Sequence, residues 1–361
     1  VDEQLRSGVL AIFIGALAGF LLLVPFVALS YRRRGRLTAG RAMLWGSALV
    51  YFWAIWTYTL LPLPDSDSIR CAGVNLDVWA FVDDIRSALA RPGPTITDPA
   101  VLQLLLNVAL FVPLGSFLRV LGGRGVVVAG LVGLAVSAFV ETTQLTGVWG
   151  IYPCAYRVFD VDDMLTNTLG AVAGSIAALA VPARLRRAGR SPDAHLPRPV
   201  TRRRRALGML CDFVGITLVV GVVGVVVQML VEFVLTPPGG AADSPLASIF
   251  GTTVGSGVWL VVILATGRSV GDFAVRVRFT RGALPEWLAR VVRFAAGAGG
   301  YTLLAALPEP WDGTAFLLWI STVVLLFVYR DGRGLPGVIG NRAVVDDRAP
   351  QAAPASPSRL R

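Results

Sequence analysis

The chain has 361 residues, of which 55% are hydrophobic and 16% charged, and its mean hydropathy is +0.66; soluble domains carry about 25% charged residues, so a soluble fold is excluded and an integral membrane protein is implied. The formal net charge of +10 comes from 33 basic residues, all arginine and spread over loops between apolar runs. Nucleic-acid binders gather such charge in a patch, so no nucleic-acid partner is expected.

Hydropathy predicts an all-α, polytopic membrane protein with nine transmembrane helices of roughly the 20 residues a bilayer core requires, the eighth being short. The spans fall at 8–30, 42–62, 101–121, 126–146, 161–182, 206–235, 246–266, 295–308 and 314–329. Twenty-eight of the arginines lie in the loops 31–41, 119–125, 183–205 and 267–294 and in the segment 330–361. Positive residues stay on the cytoplasmic side, so the N-terminus is expected outside and the C-terminus in the cytoplasm of a multi-pass cell-membrane protein. "YRRRGR" follows the first span, and Asp2 and Glu3 stand beside Arg6 before it, which fits an uncleaved anchor better than a signal peptide.

The Arg- and Pro-rich stretch "ARLRRAGRSPDAHLPRPVTRRRR" divides the chain. A five-span domain (1–182) is expected before a cytoplasmic linker (183–204), then a second membrane domain with an amphipathic cytoplasmic segment (205–345), then a disordered tail (346–361) rich in Pro, Ala and Ser. Besides signalling topology, the linker's arginines can attract anionic lipid.

Around the fourth and fifth spans the apolar pattern is interrupted by "FVETTQLTGVWGIYPCAYRVFDVDDMLTNTLGAVAG". Glu141 and Gln144 are three apart on one helix face, and Asp160, Asp163 and Asn167 share another. Asn107, with Gln103 one turn above it, brings polar groups of the third span to the same outer level. A charged group at mid-bilayer costs about 2.5–3.5 kcal/mol, and less near the interface. Two readings fit: acids that cap the fifth helix with Arg157 as a bridge, or a ligand site. Capping explains one or two Asp, not Glu141, Asn107 and Asn167 together.

These residues resemble a known family. "LLLNVALFVPLGSFL", a span carrying "ETTQ", and "RVFDVDDMLTNTLGAVAG" are similar to the VanZ-like pattern over about residues 40–182. On that resemblance Asn107, Phe111, Pro113, Gly115, Glu141, Gln144, Arg157, Asp160, Asp163, Asn167 and Gly170 carry the signature. It implies a cell-envelope role and an association with low-level resistance to the glycopeptide teicoplanin, with no assigned reaction.

The loops 63–99 and 147–160 would roof the polar cluster, and in the first of them Leu76, Trp79, Val82 and Leu89 space one side of an interfacial helix. Cys71 and Cys154 fall in these outer loops and are a candidate disulfide, whereas Cys211 lies within the sixth span. No nucleophile elbow, phosphate loop or zinc spacing occurs, and the single His195 lies in the linker. No catalytic residue, cofactor or metal is therefore assigned, although paired acids can serve acid–base chemistry.

The second domain resembles the RDD family in "RRALGMLCDFVGITLVV", with Arg205 at the mouth of a span and Asp212 seven residues in, and in "TGRSVGDFAVRVRF". Gly337 stands where that family's second Asp is expected. Read from the residues alone, Arg205 snorkels to the cytoplasmic interface. Asp212 lies about 10 Å further along the helix and faces another helix or a wet cleft. Phe273, Val275, Val277 and Phe279 alternate with Arg276 and Arg278 like a strand, and Leu284, Trp287, Leu288, Val291, Val292 and Ala295 keep the spacing of a surface helix.

Two functions are expected from this pattern. The first is an envelope protein that binds or acts on an outer-leaflet lipid or cell-wall-linked ligand, with membrane lipids as its partners. The alternative is a small-solute, ion or proton transporter that uses intramembrane acids, which needs a continuous polar path.

Overall fold

The computed structural model describes residues 2–61, 63, 69–182, 186, 191–235, 245–329 and 332–350. It is mostly helical. Two compact units form among the described residues, one from those up to Gly19 together with Ala39 to the end of the fifth expected span, the other from Phe20–Thr38 and the described residues from 191 onward. The long first helix, α1 (Asp2–Arg34), contributes to both.

The first unit adds α2 (Ala39–Leu60), α3 (Ala80–Ala90), α4 (Pro99–Val120), α5 (Val126–Leu145) and α6 (Val161–Ala177). Asp98 starts α4 by accepting the Ala100 N–H at 3.1 Å, with Pro99 in the first turn, where its missing N–H costs nothing. Within α4, Pro113 interrupts the backbone ladder, and the nearby Leu110 carbonyl accepts the Tyr51 hydroxyl from α2.

Glycine sets the spacing of this unit. A Cβ on Gly115 would strike the backbone of Ala171, and one on Gly170 or Gly174 would strike that of Val108 or Val112. Positions along α4 and α6 therefore rise together, so the two helices run parallel at backbone contact. The pairings Gly133 with Ala171 and Ser137 with Asn167 place α5 antiparallel to α6. All three helices thus bring their polar ends to one level.

Beyond α5 the chain reverses through four consecutive positive-φ residues, Gly147, Val148, Trp149 and Gly150. Val148 at φ 55° is a rare conformation for a β-branched residue, and the Thr146 hydroxyl steadies it by accepting the Trp149 N–H at 3.1 Å. The returning strand β2 (Phe159–Asp160) pairs in parallel with β1 (Val74–Asn75), and Cys71 and Cys154 are disulfide-bonded beside them.

The second unit contains α7 (Arg202–Leu230), α8 (Leu246–Thr266), α9 (Val270–Val275), α10 (Glu286–Ala295), α11 (Ala298–Ala305), α12 (Gly313–Val328) and α13 (Gly334–Ile339). Strands β3 (Val277–Phe279) and β4 (Val344–Asp346) form an antiparallel pair. Their core gathers Val27, Tyr31, Cys211, Val275, Val277 and Val344.

Among the described residues five helical stretches are long and apolar enough to cross a membrane: Leu5–Arg34, Pro99–Val120, Val126–Leu145, Arg202–Val234 and Leu246–Thr266. The remaining expected spans differ from these. The second is the 22-residue α2, the fifth is a 17-residue helix that opens with Asp162 and Asp163, and the ninth is a 16-residue apolar helix. The eighth is α11, only 8 residues long, which rises about 12 Å against a hydrocarbon core of about 30 Å.

Contacts cross three of the boundaries expected from the sequence. The latter part of α1 packs with the second unit because Val27 and Tyr31 enter its core and Arg204 lies 5.2 Å above the Tyr31 ring. The described part of the linker is folded: Ser191 donates its N–H to the Arg33 carbonyl at 2.8 Å, Ala194 is buried, and the Arg198 N–H reaches Asp346 at 3.0 Å. The expected tail begins as structure, since Asp346 ends β4 and pairs with Arg204 at 2.8 Å. Residues 351–361 of that tail lie outside the described residues.

Candidate functional site

The polar ends of α4, α5 and α6 build the site. Asp160 stands at the N-cap of α6, where its extended backbone lets Oδ1 accept the Asp162 N–H at 2.9 Å. Glu141 reaches across from α5, and its Oε2 accepts the Asp160 N–H at 3.0 Å. Asp163, one turn into α6, accepts the Asn107 side-chain amide of α4 at 2.6 Å, and Gln103 hydrogen-bonds it as well. The carboxylates of Glu141, Asp160 and Asp163 are close enough to act on one another electrostatically.

The loop before α3 closes over this group. Asn75 donates its side-chain amide to both Asp160 oxygens at 3.3 Å, and Asp162 Oδ2 accepts the Phe81 N–H at 2.8 Å. The N-terminal turn of α3 is thereby held at the start of α6. Among the described residues two buried acceptors of this site remain without a donor, Asp162 Oδ1 and Asn167 Oδ1.

Other expected members turn elsewhere. Gln144 donates to the Thr59 carbonyl at 2.7 Å and Arg157 to the same oxygen at 3.2 Å, so both satisfy the open C-terminal end of α2. Among the described residues Arg157 makes no ion pair with the acids. Asn167 donates to the Ser137 hydroxyl at 2.9 Å, one turn deeper than Asp163. Asn75 and Ser137 were not singled out from the sequence. A short polar residue inside an apolar span was the signal available for Ser137, whereas Asn75 in a polar loop offered none.

Residues 48–182 match the VanZ/LLP1 family model. This VanZ-like segment runs from within α2 to the end of α6 and contains every residue of the acidic constellation. No curated protein and no solved structure matches the chain.

No comparison supports an RDD module in the C-terminal part. Its two marked residues are both buried against other elements. Arg205 does not snorkel: it is 2% exposed, and its Nη1 meets Asp272 Oδ1 at 2.8 Å while Nε donates to the Gly332 carbonyl. Asp212 accepts the Ser269 hydroxyl at 2.5 Å, the Gly271 N–H at 2.8 Å and the Trp259 indole N–H at 3.0 Å. Gly337 has no space for a carboxylate, because a Cβ there would lie 2.6 Å from the Arg333 Cβ and 2.9 Å from the Arg342 carbonyl.

Asp272 instead anchors this network, with Arg293 Nη2 also at 2.8 Å. Burial alone would raise its pKa, but the guanidinium groups of Arg293 and Arg205 hold the carboxyl well below the usual carboxylate range. Asp346 is similar: burial opposes its ionisation, and hydrogen bonds from Arg348 and Arg204 overcome that and keep it low. Every carboxylate oxygen of Asp212 and Asp272 has a protein donor, so this cluster is a lock between α7, α9 and α10.

Proposed function

We propose that the chain is a multi-pass cell-membrane protein whose VanZ-like segment binds an outer-leaflet lipid or a lipid-linked cell-wall ligand through Glu141, Asp160 and Asp163, supported by Asn107. In this reading the N-terminus is outside, as the arginine distribution favours, and the binding contributes to glycopeptide resistance. One observation carries the proposal: three helices and one loop aim carboxylates and carboxamides at one level of an apolar bundle, with no guanidinium in ion-pair contact among the described residues. Such an arrangement is expensive near a membrane and persists where something polar is to be met.

The test is teicoplanin susceptibility of a sensitive host that expresses wild type, Glu141→Gln or Asp163→Asn, with protein levels and thermal unfolding in detergent measured alongside. Both substitutions keep side-chain size and lower the cost of burial. Protection by wild type that is lost in the variants at unchanged protein level supports a ligand site. Loss that tracks lowered stability makes the acids structural, and absence of protection by wild type ends the glycopeptide reading.

A further inference from the structure

The acceptors at this site outnumber the donors. Glu141, Asp160, Asp162 and Asp163 bring four carboxylates together, and the donors they meet are neutral: the backbone N–H groups of Phe81, Asp160 and Asp162 and the side-chain amides of Asn75, Gln103 and Asn107. An ionised carboxylate offers about four lone-pair directions, and these bonds leave several unused. The one nearby cation among the described residues, Arg157, is exposed and gives its Nη1 to the Thr59 carbonyl.

A second observation is independent of the charge count. Asp162 is 4% exposed and Asn167 is 6% exposed, yet among the described residues Asp162 Oδ1 and Asn167 Oδ1 have no donor. Asp162 lies within the cluster, bonded to Asp160 through its own N–H, and Asn167 follows Asp163 by one turn on the same face of α6. A buried acceptor left unpaired costs about 1–3 kcal/mol, so donors are what the site lacks. Among the described residues no three His, Cys, Asp or Glu side chains are arranged to hold a metal ion. The missing charge and the donor that Asp162 lacks are therefore best supplied by one organic group; the Asn167 oxygen, five residues and about 7.5 Å of helix rise further along α6, is beyond reach of the same nitrogen.

We infer that the acidic site of the VanZ-like segment recognises a primary ammonium group, such as the head group of an aminolipid or a free amine. This rests on the functional reading above and specifies its ligand. A primary ammonium carries positive charge and three N–H donors, which matches carboxylates on two helices. A quaternary ammonium has the charge without the donors, and a phosphoglycerol head group brings further negative charge to the acids.

The experiment uses the full-length protein in detergent, titrated with short-chain phosphatidylethanolamine, phosphatidylcholine or phosphatidylglycerol, or with free ethanolamine. Binding is read from the rise in the thermal-unfolding midpoint with ligand concentration. Phosphatidylethanolamine is expected to bind about tenfold more tightly than phosphatidylcholine, and phosphatidylglycerol more weakly still. The preference should vanish in Glu141→Gln and in Asp163→Asn. The lipid series on wild type stands by itself if either variant folds poorly. Ethanolamine that matches phosphatidylethanolamine would assign the same chemistry to a soluble amine rather than a lipid.

Equal binding of phosphatidylethanolamine and phosphatidylcholine, or preference for phosphatidylglycerol, overturns the inference. The outcome is separable from the resistance assay. Variants that lose protection without any head-group preference keep the site and remove the ammonium. A head-group preference without protection keeps the ammonium and removes the glycopeptide.

Discussion

Replacing Asp272 by Asn would show how much the second unit depends on one carboxylate. Asp272 is 1% exposed and accepts from Arg205 at 2.8 Å, from Arg293 at 2.8 Å and from the Ser269 N–H at 3.1 Å. Asn keeps the volume and one acceptor but removes the charge, which leaves two buried guanidinium groups uncompensated. Breaking a buried pair from one side costs about 3–5 kcal/mol. The retained amide oxygen places Asp272→Asn near the lower end, at about 3 kcal/mol. In a unit of this size each kcal/mol moves the unfolding midpoint by about 2–4 °C, so a fall of about 6–12 °C is expected in detergent. Because the folded-state pKa is depressed, the carboxylate's contribution is fully present above the unfolded value of about 3.9 and is lost only as pH falls through the lower folded value. The difference between wild type and variant should therefore stay constant from pH 8 to pH 5. A midpoint within 2 °C of wild type (an order-of-magnitude allowance on the same scale) would falsify the claim that the two arginines rely on this carboxylate.

Two further outcomes are expected. Single cysteines placed at the exposed positions Arg36, Arg203 and Thr97, with Cys211 buried and Cys71 and Cys154 bonded, should be labelled by an impermeant reagent in intact cells only at position 97; labelling at 36 or 203 without permeabilisation would reverse the orientation and move the acidic site to the cytoplasmic side. Reduction of the oxidised protein should change its mobility on a denaturing gel, and Cys71→Ser should abolish that change, whereas an identical shift in the variant would show that it arises elsewhere.

The amino-acid sequence alone determined the membrane class, because apolar runs of bilayer length leave few alternatives, and it located the positions of long spans such as α4, α5 and α8. It also picked out Glu141, Asp160 and Asp163, since ionisable groups in apolar runs are costly enough to stand out. What it could not determine was which way each one turns. Glu141 and Gln144 share a helix face by spacing, yet one meets Asp160 and the other Thr59, because different neighbours pack at the two levels. Arg205 has the composition of a snorkelling residue and becomes a buried anchor only because α9 carries Asp272 to it across 67 residues of chain. The described linker residues and the start of the tail likewise acquire structure through partners distant in sequence, Arg33 and Arg204. Local pattern reports the cost of placing a side chain in water or lipid. The partner that offsets that cost is chosen by helix approach, here set by Gly115, Gly170 and Gly174 against facing backbone, and that choice exists only in the folded chain.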